Sequence, residues 1–348
     1  MNAPRTIARL LILVTATASV ALPATGAHAS ARSCTDGSAA VIHTQRLLGL
    51  SGLYAKPAGV PKQLVVFDHG YGKSATAYWA GHLREAADHG ALAVAVDYRG
   101  IGPAPDYRGW NVSAGAADSI KAAKTFLRIC PSLKQVFLLG VSMGGNASGL
   151  AVASGAKRTD GTPLFDYWVD IEGATNVTET YNEASAVAPS GNAYATRAKE
   201  DIENEMGGTF EEVPDRYLEE SVVTRGADIA ASGVKGVILV HGLGDGLVPY
   251  DQSRELESAL VANDVPTDFF TVGTRGEGEP GTTLDGYVPV DHVSPFAGHG
   301  GEESTTQLVI TTGFDQLWSL MAGTTAIGPH REFFVDGDTG LFLPPQAA

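Results

Sequence analysis

Short apolar runs at residues 64–67, 91–96, 136–139, 167–171, 237–240 and 269–272, separated by amphipathic or turn-rich stretches, constrain this chain more than any other feature. Runs that are apolar at successive positions suit strands buried on both faces. Between them, Trp79, Leu83 and Ala87 share one helical face ahead of Gly90, and Ile120, Ala123 and Leu127 mark another helix. A further amphipathic segment carries Leu317, Trp318 and Met321 near the end. This alternation predicts an α/β fold, a mostly parallel central sheet flanked by helices on both faces. The stretch 176–232 interrupts the rhythm: it has no strong strand, but it has acidic, helix-compatible segments at 197–206 and 214–220. It reads as a helical cap inserted between two strands of a single domain over residues 30–348, with the charge run from Glu200 to Glu205, Asp201 included, on a solvated helix face.

At the N-terminus, Arg5 and Arg9 precede an apolar run over residues 10–20, and Ala27-His28-Ala29 supplies small residues for cleavage. This is the pattern of a secretory signal peptide over residues 1–29, and it predicts a secreted protein, extracellular or periplasmic, with no stable membrane anchor. An uncleaved helical anchor is the other reading. The full chain has a formal charge of −15, and the 29-residue segment holds two arginines and no acidic residue, so the mature chain stands at −17. Nucleic acid and anionic membranes are therefore poor partners. The two cysteines, Cys34 and Cys130, form an even count in a chain bound for an oxidising compartment, which favours a disulfide over two buried free thiols.

The run at 136–139 leads into Gly140-Val141-Ser142-Met143-Gly144, and residues 146–153 can form a helix directly after it. Glycines two positions either side of a serine permit a sharp strand-to-helix turn that lifts the hydroxyl above the sheet. The turn also puts the backbone N–H of Met143 at a helix N-terminus, where an oxyanion is favoured. This segment resembles the nucleophile elbow of the α/β-hydrolase superfamily, and the likeness extends over most of the mature chain. In Phe67-Asp68-His69-Gly70-Tyr71-Gly72 a His-Gly pair follows an earlier strand as in that family's oxyanion loop, which implies the N–H of Tyr71 as the second oxyanion donor. Aspartate before His69 departs from the usual motif.

A nucleophilic serine needs a base, and the base needs an orienting carboxylate. The segment His241-Gly242-Leu243-Gly244-Asp245-Gly246 resembles the family's catalytic-acid loop, which implies Asp245 as the acid, with Asp170 and Glu172 as alternatives on the preceding strand and His241 as a structural histidine. His299, between Gly298 and Gly300, lies between the last predicted strand and the final helix, where the family's base lies; His292 in the same loop is its rival. The order Ser142, Asp245, His299 is that of the family. These residues imply a serine hydrolase. Secretion favours a carboxylic-ester hydrolase acting on a small-molecule substrate. The alternatives are a secreted peptidase of the prolyl-oligopeptidase or aminopeptidase type, from which the absence of a filtering domain detracts, and a non-catalytic binding protein on the same scaffold. No His, Cys and carboxylate spacing of metal-ligand type stands out, so neither cofactor nor metal is expected. Trp79, Trp110 and Tyr71 are candidates to line an acyl pocket, with core packing as the other reading for the tryptophans.

Overall fold

A computed structural model of the chain describes residues 34–37, 42–44, 51–75, 79–99, 109–273, 298–337 and 342–343. Within these, the strands are β1 (Ile42–Thr44), β2 (Gly52–Ala55), β3 (Gln63–Asp68), β4 (Leu92–Val96), β5 (Gln135–Val141), β6 (Tyr167–Ile171), β7 (Gly236–Gly242), β8 (Thr267–Gly273), β9 (His330–Asp336) and β10 (Phe342–Leu343). The helices are α1 (Ala80–Asp88), α2 (Val112–Ile129), α3 (Met143–Ala153), α4 (Val177–Val187), α5 (Ala193–Met206), α6 (Pro214–Glu219), α7 (Gly226–Ser232), α8 (Tyr250–Val261) and α9 (Leu308–Ala322). The strands make one sheet in the order β1-β2-β4-β3-β5-β6-β7-β8-β9-β10. Pairing is parallel from β4 across to β9 and antiparallel only toward the two edges, where β2 meets β1 and β4, and β10 meets β9.

All six apolar runs lie in parallel strands, because strands covered on both faces have no solvent side to record. Alternate residues of β3 feed two separate cores. Leu64 and Val66 join Phe126 of α2, Ala147 of α3 and Leu256 of α8 on one face, while Val65 and Phe67 join Leu83 of α1 and Phe314 of α9 on the other. Full burial of side chains this size contributes about 1.5–3 kcal/mol each. Trp79 belongs to the second core: it is fully buried and stacks on Phe67 with ring centroids 4.9 Å apart. Of the two readings for Trp79, that packing supports the core one and not the pocket wall.

Between β6 and β7 the chain runs through α4, α5, α6 and α7. Asn192 caps α5 by accepting from Tyr194 N and Ala195 N at 3.0 Å each, and Gly207 ends it at φ +86°. Ala195, Ala198, Ile202 and Met206 form its buried stripe. Glu200 on the other side is exposed, and Glu203 pairs with Lys199. Cys34 and Cys130 are joined by a disulfide, their Cα atoms 5.8 Å apart across 96 positions, which ties the segment at Cys34 to the end of α2. Among the described residues no helix is long and apolar enough to cross a membrane. The proposed signal segment 1–29 lies outside them.

Candidate active site

Ser142 stands between β5 and α3 with φ 58° and ψ −126°, a conformation that costs a non-glycine residue on the order of 1–3 kcal/mol. The surrounding backbone holds it there. Ser142 N–H donates to Ile171 O at 2.9 Å, and Ser142 O accepts from Gly145 N at 2.8 Å and Ala174 N at 3.1 Å. The flanking glycines are required by contact: a Cβ on Gly140 would lie 2.1 Å from Gly144 O, and one on Gly144 would lie 2.2 Å from Asp68 O. Met143 is the first residue of α3, where backbone donors lack intrahelical partners.

The loop after β3 presses against this turn, since a Cβ on Gly70 would come within 3.3 Å of Ser142 Cβ. His69 stacks on Tyr98 at 3.9 Å, and the Tyr98 hydroxyl donates to His69 O at 3.0 Å. The Tyr71 hydroxyl donates to Asp201 of α5 at 2.6 Å. Asp68, the departure from the family pattern, is fully buried and accepts from Ser119 Oγ; burial pushes its carboxyl well up.

The loop after β7 places Asp245 opposite His299. Asp245 Oδ2 accepts from His299 Nδ1 at 2.8 Å, and Oδ1 accepts from Leu247 N at 2.8 Å and Val248 N at 2.9 Å. Burial alone would raise this carboxyl, but His299 and His241 overrule it and hold it well below the usual range. Conversely, burial would lower His299, yet the Asp245 charge and hydrogen bond, joined by Glu172 and Glu302, lift it to about 9. His241 is buried, bonded to Ser253 Oγ at 2.7 Å and Val248 O at 3.0 Å, with Asp245 Oδ2 3.3 Å away. It braces the loop that carries Asp245.

Of the two alternative acids, Glu172 comes near His299 Nδ1 but stops at 3.7 Å and instead accepts from Gly300 N at 2.6 Å. Its carboxyl is pushed well up by burial and by Asp245. Asp170 has no hydrogen-bond partner on either oxygen among the described residues, and burial pushes it up to about 8. His292 lies outside the described residues. Glu302, which sequence reasoning missed, is buried three residues after His299 and accepts from Gly70 N, so it links the histidine loop to the loop after β3. Burial pushes it up to about 8.

Ser142 opens on a small cavity whose walls include Tyr71, Trp110, Ala184, Tyr194 and Ala198. Its lining is predominantly apolar. Two of the three aromatic candidates therefore face the cavity, and α4 and α5 roof it.

The profile of the serine aminopeptidase (S33) family matches residues 59–174, which span the loop after β3 and the Ser142 turn. No curated protein matches the chain in sequence. Among solved structures, the Pyrobaculum calidifontis esterase is 17% identical with a TM-score of 0.56, covering 82% of this chain and 86% of its own. Pyrococcus horikoshii acylaminoacyl peptidase is 15% identical with a TM-score of 0.55, covering 82% of this chain. A Mycobacterium tuberculosis puromycin-hydrolyzing peptidase is 17% identical at 0.53 over the same share. The chain spans 41% and 40% of the length of these two peptidases. Sheet order, the turn at Ser142 and these likenesses agree on one conclusion: the chain has the α/β-hydrolase fold.

Proposed function

We propose that the chain is a secreted serine hydrolase that cleaves carboxylic esters through an acyl-enzyme intermediate. The observation that carries the reading is the strained Ser142 turn opening on an apolar cavity, with the Asp245–His299 pair on neighbouring loops. With Nδ1 held by Asp245, His299 takes the Ser142 proton on Nε2 as the oxygen attacks the ester carbonyl. The N–H groups of Met143 and Tyr71 stabilise the oxyanion, and Asp245 stabilises the imidazolium. His299 then returns the proton to the leaving alkoxide, and water, deprotonated by the same nitrogen, releases the acid. An apolar cavity suits an acyl chain or aromatic group, whose burial is worth about 25 cal/mol per Å². The N-terminal pattern and the Cys34–Cys130 disulfide support export.

A second reading, a peptidase using the same groups on an amide, is favoured by the aminopeptidase profile match and by the peptidases among the structural neighbours. A panel of p-nitrophenyl esters and aminoacyl p-nitroanilides separates the two. Ester turnover at least about a hundredfold above anilide turnover supports the first, and the reverse ranking overturns it. A fluorophosphonate probe that fails to label Ser142 in folded protein overturns both and leaves a binding protein.

A further inference from the structure

Away from Ser142, at the opposite end of the sheet, three side chains converge without a role in the proposed reaction. Glu257 projects from α8, and His330 and Glu332 stand two apart on β9, on the same face of the strand. His330 pairs with Thr267 at the start of β8, whereas the Ser142, Asp245 and His299 loops follow the far ends of the parallel strands. His330 Nε2 lies 3.7 Å from Glu257 Oε1 and 3.5 Å from Glu332 Oε1, and the three atoms all lie within 4.8 Å of one another.

Two features set this cluster apart from an ordinary surface ion pair. Arg254 Nη1 engages the other oxygen of each carboxylate, Glu257 Oε2 at 2.6 Å and Glu332 Oε2 at 3.2 Å, so both Oε1 atoms are turned toward the imidazole. Glu257 is almost fully buried, 3% exposed, and its Oε1 has no hydrogen-bond partner among the described residues. A separation of 3.7 Å is too long for a hydrogen bond, and a buried acceptor left without a donor is costly. Ligand atoms about 2.1 Å from a tetrahedral zinc ion stand roughly 3.4 Å apart, close to the spacings seen here. With both carboxyls ionised, the one guanidinium leaves the site one negative charge with which to receive a dication. His330 and Glu332 are 37% and 43% exposed, which gives an ion a path in and water a place as fourth ligand.

We infer that Glu257, His330 and Glu332 form a binding site for a zinc-like divalent transition metal that fastens β9 to α8, with Arg254 orienting both carboxylates. One imidazole and only three protein ligands select against Ca²⁺ and Mg²⁺, which prefer more oxygen ligands or near-octahedral hydrated geometry. The role is structural, since the site is remote from Ser142.

The test uses the full untagged chain, stripped with chelator and titrated with Zn²⁺ alone by calorimetry, and with Co²⁺ for its visible spectrum. One tight equivalent is expected, and a hundredfold excess over Kd raises Tm by roughly 4 °C. Ca²⁺ should give neither response. Glu257→Gln and the exposed His330→Gln should each weaken Zn²⁺ binding more than about a hundredfold, beyond the usual effect of an outer-sphere change. Because Glu172, Asp245 and His299 are also close together, His299→Ala serves as the control and should keep the tight equivalent. Absence of saturable binding, a Zn²⁺ affinity unchanged in His330→Gln, or an equivalent lost in His299→Ala would each overturn the assignment.

Discussion

Asp245→Asn tests the proposed catalytic pair most sharply, because it changes one atom and leaves the loop its scaffold. In the parent, Oδ1 takes two backbone N–H groups at 2.8 and 2.9 Å while Oδ2 takes His299 Nδ1 at 2.8 Å. A carboxamide has one oxygen, and the two backbone donors claim it. Its NH₂ group then faces His299, which must accept on Nδ1 and carry its proton on Nε2. The nitrogen that should take the Ser142 proton is thereby blocked, for a loss of about 10⁴ in kcat, or roughly 5.5 kcal/mol of barrier. Stability responds separately. The Asp245 carboxyl is held below its ordinary range, so the stability it contributes is present above the unfolded carboxylate pKa of about 3.9 and is lost as pH falls toward the folded value. The Tm difference between parent and Asp245→Asn should therefore shrink below about pH 4. The assays are p-nitrophenyl ester turnover at saturating substrate and thermal unfolding from pH 3 to 8. If Asp245→Asn kept activity within tenfold while Glu172→Gln was silent, the tautomer argument would fail and Glu172 would be the acid.

With His299 raised to about 9, its base form is scarce at neutral pH, so kcat/KM should climb about tenfold per unit through pH 7–8 and level near 9; a plateau already reached at pH 6 would show the imidazole is not so raised. His299→Ala should lose as much kcat as Ser142→Ala and His292→Ala far less, both judged on protein with parent-like Tm, and the opposite ranking would move the base to His292. Reducing the Cys34–Cys130 bridge opens a loop spanning 96 positions and should cost roughly 4–5 kcal/mol, read from denaturant unfolding with and without reductant; free thiols in non-reduced, denatured protein would contradict it. Gly144→Ala sets a methyl 2.2 Å from Asp68 O, which only backbone movement relieves, so stability should drop by about 3 kcal/mol with loss of probe labelling; full activity would mean the turn is looser than its contacts require.

The strands that sequence revealed are those with both faces covered. β1, β2, β9 and β10 left no such trace. β1 and β10 are two or three residues long, and β9 opens His330-Arg331-Glu332 with its first positions exposed, so polarity hides a strand that is fully paired with β8. The serine turn was legible because its glycines lie two positions either side of Ser142, although the contact that requires Gly144 comes from Asp68 O on β3. The carboxyls around it were not. Glu302 meets Gly70 across 232 positions, and Glu172 meets Gly300 across 128, distances over which a single sequence carries no pairing signal. The same holds for Glu257 with His330 and Glu332. Trp79 and Trp110 looked alike in sequence, and only the packing of Trp79 on Phe67 separates a core residue from a cavity wall.

Those unseen carboxyls have a common logic. Asp245, Glu172 and Glu302 each reach a different point on two loops: the imidazole of His299, the N–H of Gly300 and the N–H of Gly70. Ionised carboxylates this close together repel one another, and each favours the proton on His299. Burial opposes this by pushing the Glu172 and Glu302 carboxyls up toward their neutral forms, while the facing histidines hold Asp245 down. A carboxyl in either form accepts a backbone N–H, and the remaining oxygens, Glu172 Oε1 and Glu302 Oε2, are without hydrogen-bond partners among the described residues. The loops are thus fastened by acceptors in which burial disfavours charge, and the carboxyl held lowest is the one that faces His299.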